Sequence, residues 1–203
     1  MSVDPVAADP PMAGDVARLL IHGPGAGGRA RVEQFIRTVY ARQYDARLME
    51  FAPVLVAREL GDEIVAAAGY RRATEALFLE QYLDAPIESY LGSPGPVDRR
   101  CNAEVGHLSA SLPGEGRRLM GQIAAHLATL GIDWVASTVT IELRRVMYRL
   151  GLGATCLAPA RSERLRPAAT SWGRYYEHQP LVMAGHLPSS LRRLQRAVPG
   201  DDR

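Results

Sequence analysis

The clearest rhythm of apolar and polar positions lies in the second half of the chain. From Arg117 to Leu130 the apolar residues Leu119, Ile123, Leu127 and Leu130 mark one helical face, and Gly131 closes it. Asp133 to Val139 predicts a buried strand. Thr140 then stands where an N-cap is wanted, before a helix whose stripe is Leu143, Val146, Met147 and Leu150, again closed by a glycine, Gly151. Short strands are predicted at Ala154 to Ala158 and Leu181 to His186. Upstream, Cys101 to Ser109 reads as a strand running into the turn Leu112-Pro113-Gly114-Glu115-Gly116.

The first half is less regular. Val32, Phe35, Ile36 and Val39 recur at helical spacing. Two β-type runs follow, Pro53 to Ala57 and Glu63 to Gly69, with Leu60-Gly61-Asp62 between them as a hairpin turn. Ala76 to Leu79 predicts a third strand, and Glu80 to Val97 combines a short helix with a Gly-Ser-Pro-Gly-Pro loop. Residues 1–30, rich in Pro, Gly, Ala and Asp, read as a flexible arm, and the Arg-rich residues 191–203 as a frayed tail. One domain over 31–190 remains. Its alternating strands and helices imply an α/β (α+β) fold, a mixed sheet of about seven strands flanked by helices.

Composition changes this picture mainly by exclusion. The 203 residues are 47% hydrophobic and 23% charged with a formal net charge of +2, an ordinary globular balance that argues against a nucleic-acid partner. All 24 basic residues are arginine, so lysine Schiff-base chemistry and a Walker lysine are excluded. Cys101 and Cys156 form neither a disulfide framework nor a metal spacing, and no metal site is expected. Charged residues interrupt every apolar run, and the acidic, proline-rich start is unlike a signal peptide. A cytoplasmic protein without a membrane span is expected.

The segment from Asn102 to Gly153 resembles the donor-binding half of the GNAT N-acyltransferase fold, down to its close at Tyr148-Arg149-Leu150-Gly151-Leu152-Gly153. More closely, Arg31 to Gly185 resembles the thermostable hemolysin family, itself related to GNAT enzymes and acyl-homoserine-lactone synthases. The strings that carry it are Val32-Glu33-Gln34-Phe35-Ile36, Leu77-Phe78-Leu79-Glu80-Gln81-Tyr82-Leu83-Asp84, Glu104-Val105-Gly106-His107-Leu108 and Trp172-Gly173-Arg174-Tyr175-Tyr176. The resemblance implies a GNAT-like fold and acyl transfer to a small amine acceptor. The donor would be a coenzyme A thioester or a phosphopantetheinyl thioester, which brings in an acyl carrier protein as one partner. Homodimerisation stays open, and no nucleic acid is implied.

The same resemblance assigns candidate residues. Backbone amides of Leu108, Ser109 and Ala110 would orient the donor, and Gly114, Gly116, Arg117 and Arg118 would cradle its phosphate at a helix N-terminus. In that cradle Ser111 replaces the superfamily's basic residue, and Glu115 adds negative charge. Among catalytic candidates, Glu104 is a carboxylate in an otherwise apolar strand, costly to bury unless paired or functional. A salt bridge to Arg71 or Arg144 is its structural alternative. Glu80, Asp84 and Glu88 recur at four-residue steps and would form an acidic acceptor face if helical; Glu80 is the strongest of them. His107 is a second base candidate, although strand alternation puts it opposite Glu104. Tyr148 stands where GNAT relatives often keep the acid that protonates the thiolate. Trp172, Tyr175 and Tyr176 would wall an acyl or acceptor pocket or pack on the core.

Two further function classes compete with the enzyme reading. One is a membrane-active hemolysin-like protein, which needs an exposed amphipathic segment. The other is a catalytically silent acyl-carrier-binding domain.

Overall fold

A computed structural model describes residues 17–92, 97–165 and 168–197. Its centre is one seven-stranded mixed sheet in the order β1-β2-β3-β4-β5-β7-β6. The strands are β1 (Arg18–His22), β2 (Val54–Leu60), β3 (Glu63–Arg72), β4 (Asn102–Ala110), β5 (Trp134–Val139), β6 (Thr155–Pro159) and β7 (Leu181–His186). Four helices flank it: α1 (Arg29–Tyr44), α2 (Glu115–Thr129), α3 (Ile141–Arg149) and α4 (Leu187–Ala197). All neighbouring strands are antiparallel except β4 and β5, which run parallel.

Two apolar layers sandwich the first half of the sheet. On one face α1 buries Val32, Ile36, Tyr40 and Tyr44 against Leu55, Ala57 and Ala67. On the other, the stripe Leu119, Ile123 and Leu127 of α2 packs on Val56, Ala66, Ala68 and Ala103. The alanines at the centre of β3 are buried on both faces, and their small side chains bring both helices close to the sheet. A third cluster, including Leu79, Ile87, Ala136 and Val182, lies under the 3₁₀ turns that connect β3 to β4.

The α/β class and the seven strands agree with the sequence expectation, but one member differs. Ala76 to Leu79 does not form a strand: Phe78–Tyr82 is a 3₁₀ turn, because its first amides donate to a carboxylate in β4 instead of to a sheet neighbour. The seventh strand is β1, inside the segment expected to be a flexible arm. It pairs with β2 from Arg18↔Glu59 to His22↔Leu55. Residues 1–16 of that arm lie outside the described residues. The Arg-rich C-terminus also departs from expectation, since α4 continues to Ala197 and anchors through Leu187 and Leu191 beside α2. Other expectations hold: Thr140 caps α3 through its hydroxyl, which accepts from the Leu143 amide, and β7 spans Leu181–His186 as predicted.

One seam fixes the segment around residues 168–178 to the end of α1. Arg174 donates its amide to the Tyr44 carbonyl at 2.7 Å, and Arg47 donates to that of Ser171 at 2.6 Å. Gly173 sits between them at φ +52, and a Cβ there would meet the Tyr44 carbonyl oxygen at 2.3 Å. Gly173→Ala should therefore cost about 1–3 kcal/mol of stability, since neither backbone can yield cheaply. Gly121 is the opposite case, in the interior of α2, where an added Cβ would meet nothing within 4 Å. Gly121→Ala should stabilise by about 0.5–1 kcal/mol. Urea midpoints of the two variants, moving in opposite directions, check both.

Candidate functional site

The site begins where two strands part. β4 and β5 pair only at Asn102↔Trp134, Ala103↔Val135 and Glu104↔Ala136. Beyond that point β4 follows β3 as far as Ala110, while β5 follows β7 as far as Val139. The sheet is split, with Glu104 and Ala136 at the foot of the split.

A bulge re-aims β4 at the same place. The β3–β4 register runs Arg71↔Glu104, Tyr70↔Val105 and Gly69↔Gly106, then slips to Ala67↔Ser109 and Ala66↔Ala110. His107 and Leu108 together oppose Ala68, and His107 adopts φ 58, uncommon for a residue with a side chain. Val105, Leu108 and Ala110 pack toward α2. His107 instead lies against Phe51 and Tyr40, with ring centroids 5.4 and 6.2 Å away, on the α1 side. Strict alternation would have put His107 opposite Glu104; the extra residue returns it to the same face. Burial, reinforced by the charge of Arg71, pushes its imidazole down to about 4 against a hydrogen bond to the Glu50 backbone. It is neutral at pH 7, and its Nδ1 has no hydrogen-bond partner.

A cavity of about 400 Å³ fills the split. On the α2 side it reaches Met120, Ile123, Ala124 and Leu127, and on the α1 side Tyr40, Gln43, Tyr44 and Tyr175. The apolar face of α3, through Leu143, Val146 and Met147, closes it across the gap. Its volume lies within the range of small-molecule sites, and its wall is mainly apolar with few polar groups.

Glu104 is buried at 9% exposure. One carboxylate oxygen accepts from the Phe78 amide at 2.6 Å and the other from the Leu79 amide at 3.1 Å. Neither Arg71 nor Arg144 forms an ion pair with it; Arg71 acts only through its charge from the neighbouring strand. Burial dominates and raises the carboxyl to about 7, against the pull of the two amides and Arg71. The adjoining residues Val105, Gly106, His107 and Leu108 line the cavity, whereas Glu104 lies just behind its wall.

Glu80 has a different environment. Its oxygens accept from Arg99 at 2.5 and 2.8 Å and from the amides of Ile87 and Leu77, so the Arg99 bond above all holds it below the usual carboxylate range. Arg99 also bridges Glu88 at 2.7 Å, and Asp84 pairs with Arg164. The acidic row expected to face an acceptor is thus neutralised by the chain's own arginines, and Glu80 ties the turns over Glu104 together. Tyr148 is 85% exposed and outside the cavity wall, which takes Val146 and Met147 from the same helix.

The expected phosphate cradle is only partly assembled. Leu108, Ala110 and Gly116 line the cavity. Ser109 is buried beside it and donates its hydroxyl to the His107 carbonyl at 3.1 Å. Gly114 is the left-handed N-cap of α2, and Arg117 is exposed. Arg118 instead pairs with Glu115 at 2.5 Å, and Glu115 turns inward to Arg58 of β2. Burial pushes Glu115 up, but its two arginines outweigh that and hold it ionised. Of the aromatic trio, Tyr175 lines the cavity, while Trp172 and Tyr176 pack on the core and Tyr176 shares a 2.8 Å hydroxyl contact with Tyr82. Sequence reading missed Tyr40, Tyr44, Gln43 and Glu142, whose signal was only position: the last turn of one helix and the first turn of another.

Solved structures similar to this chain share the GNAT-like fold of acyl-transferring synthases. The AHL synthase LasI superposes with TM-score 0.65 at 11% identity, covering 94% of this chain and all of that one. FeeM, an N-acyl amino acid synthase from uncultured soil microbes, gives 0.60 at 17% identity, covering 90% and 98%. BjaI, a CoA-dependent acyl-homoserine lactone synthase solved with SAM and isopentyl-CoA, gives 0.60 at 14% identity, covering 91% and 92%. Among curated protein sequences none matches. Residues 22–191 match the family model described as thermostable hemolysin, and the chain belongs to that family. No helix among the described residues is long and apolar enough to cross a membrane.

The raised carboxyl of Glu104 has a consequence for stability. Its folded pKa of about 7 exceeds the ordinary 4.5, so its stabilising contribution is full below about 4.5 and is lost as pH rises through 7. Between pH 5 and 8 the stability of Glu104→Gln relative to the parent should therefore rise with pH. Urea unfolding at half-unit pH steps measures this, and a constant difference would remove Glu104 as a group titrating near neutrality.

Proposed function

We propose that this protein is an acyltransferase that moves an acyl group from a coenzyme A or phosphopantetheinyl thioester to an amine. The observation that carries the reading is the split between β4 and β5, filled by an apolar cavity, with a carboxyl raised to about 7 at its foot. Backbone groups beyond Glu104 and Ala136 no longer pair across the gap, so a ligand that brings its own amides and carbonyls can pair with them. A pantetheine arm is such a ligand. Similar solved structures described as acyl synthases, one holding isopentyl-CoA, add weight to this reading.

In the proposed reaction the amine nitrogen bonds to the thioester carbonyl carbon and the carbon–sulfur bond breaks. The proton lost by the amine passes to Glu104 through one water, and the departing thiolate leaves as thiol after taking a proton from solvent. Backbone amides at the bulge after Gly106 stabilise the carbonyl oxygen as charge gathers on it. His107, neutral and buried, positions the bulge and is not the base. The acyl chain lies toward α2, along Met120, Ala124 and Leu127.

Two outcomes test this. Release of thiol from acyl-coenzyme A or an acyl-phosphopantetheine, with an amine present, should follow a pH profile rising through about 7. Glu104→Gln should lower kcat by about 10²-fold or more while the protein still binds donor. A variant with unchanged kcat would remove Glu104 from the chemistry. Separately, Ala124→Phe should reduce kcat/KM for long-chain donors on the order of tenfold relative to short-chain ones, because the ring fills the α2 end of the cavity.

A further inference from the structure

Charge is distributed unevenly around the cavity. The chain contains 24 arginines, yet among the described residues none lines the cavity. Arg144, next in sequence to the lining residue Leu143, donates through Nη2 to the Gln179 carbonyl at 3.2 Å and keeps a buried Nε without a hydrogen-bond partner, and Arg71 donates to the Ala76 carbonyl at 2.8 Å. The only carboxylate in the wall, among the described residues, is Glu142, in the first turn of α3 and half exposed.

Glu142 is continuous with the aromatic end of the cavity. Its Oε1 lies 2.9 Å from His178 Nδ1, and the His178 ring meets Tyr44 edge-on at 5.1 Å. Tyr44 in turn meets Tyr40 at 5.3 Å and Tyr175 at 5.2 Å, both edge-on. The hydroxyl of Tyr175 donates to the Thr138 carbonyl at 3.2 Å. Thr138 also lines the cavity, and its own hydroxyl is buried without a hydrogen-bond partner. This end therefore offers three phenol rings, one unused hydroxyl and one negative charge.

Resting on the acyl-transfer reading above, we infer that the acceptor is a cationic primary amine on an apolar or aromatic body, without a carboxylate. Its ammonium is drawn to Glu142 on entry and gives one proton to solvent before the free nitrogen attacks, while its body packs on the wall of Tyr40, Tyr44 and Tyr175. An α-carboxylate on the same acceptor would be taken from water with no arginine among the described residues of the cavity wall to receive it, and Glu142 would repel it. Electron-rich ring faces favour a cation and disfavour an anion. This class differs from the amino acid implied by the description of FeeM.

Matched acceptors that differ only in the carboxylate decide the matter: tyramine against tyrosine, and phenethylamine against phenylalanine. Thiol release is measured with one acyl donor, and donor binding is followed in parallel by thermal shift. The amines should show kcat/KM higher by on the order of tenfold or more, the least that an uncompensated buried charge costs. Glu142→Gln should raise KM for the amines by a similar factor while kcat falls less, and should narrow the preference for amines over amino acids. Equal or better use of the amino acids overturns the acceptor inference and leaves acyl transfer standing. Donor binding without turnover on either series also overturns it. If no donor raises the melting temperature and none releases thiol, the acyl-transfer reading fails and the inference fails with it.

Discussion

The parting of β4 from β5 is the constraint on which the other features depend. A continuous sheet would satisfy its backbone through the ladder and leave no room for a ligand. Here the ladder stops after three paired positions. The bulge at His107 continues the divergence, because an extra residue bends the strand that carries it and strengthens its twist. The cost is spread over the rest of the sheet, where β3 and β7 hold the two diverging strands along their other edges. The opening is thus built into the hydrogen-bond register and not into a flexible loop.

Two carboxylates near this opening show how environment assigns different work to the same chemistry. Glu80 faces a guanidinium and several amides, so its charged form is favoured. Glu104 faces two amides inside a layer of apolar side chains, and desolvation prevails. Groups whose surroundings drive their pKa values apart are suited to different roles. Glu80 braces the turns between β3 and β4, and those turns supply the amides that hold Glu104. Arg99 therefore acts on Glu104 at one remove, through the geometry of the backbone it fastens.

Much of this architecture was legible in the sequence because it depends on local periodicity. The stripe of α2, the Thr140 cap of α3 and the extent of β7 all follow from spacing and end signals. The failures share a physical cause, which is that tertiary partners overrode local preference. Ala76 to Leu79 has a strand-like composition, but its Phe78 and Leu79 amides are taken by Glu104 from another element. β1 is a short apolar run in a glycine- and proline-rich stretch, ordered because β2 offers a free edge. α4 hides in an arginine-rich tail, where Leu187 and Leu191 reach the core. The face of His107 was misread because alternation assumes an unbroken period of two, and a bulge leaves no obvious mark in composition. In the site itself, Glu104 stood out as a charge in an apolar strand, whereas Tyr40, Tyr44 and Glu142 meet only after the chain has folded.

α3 is the wall of the cavity with the least packing of its own. None of its side chains is fully buried, although the helix is amphipathic. The face that would normally reach a core, Leu143, Val146 and Met147, instead borders the cavity. Apolar surface in that position gains its stabilisation only when something apolar lies against it, at about 25 cal/mol per Å² removed from water. The cap at Thr140 and the hydrogen bond between Glu142 and His178 hold the first turn in place without that contact. Both groups belong to the end at which the proposed acceptor enters. The helix is therefore anchored where the proposed amine would be recognised and least packed where an acyl chain would complete its core, which would couple occupancy of one end of the cavity to the order of the wall at the other.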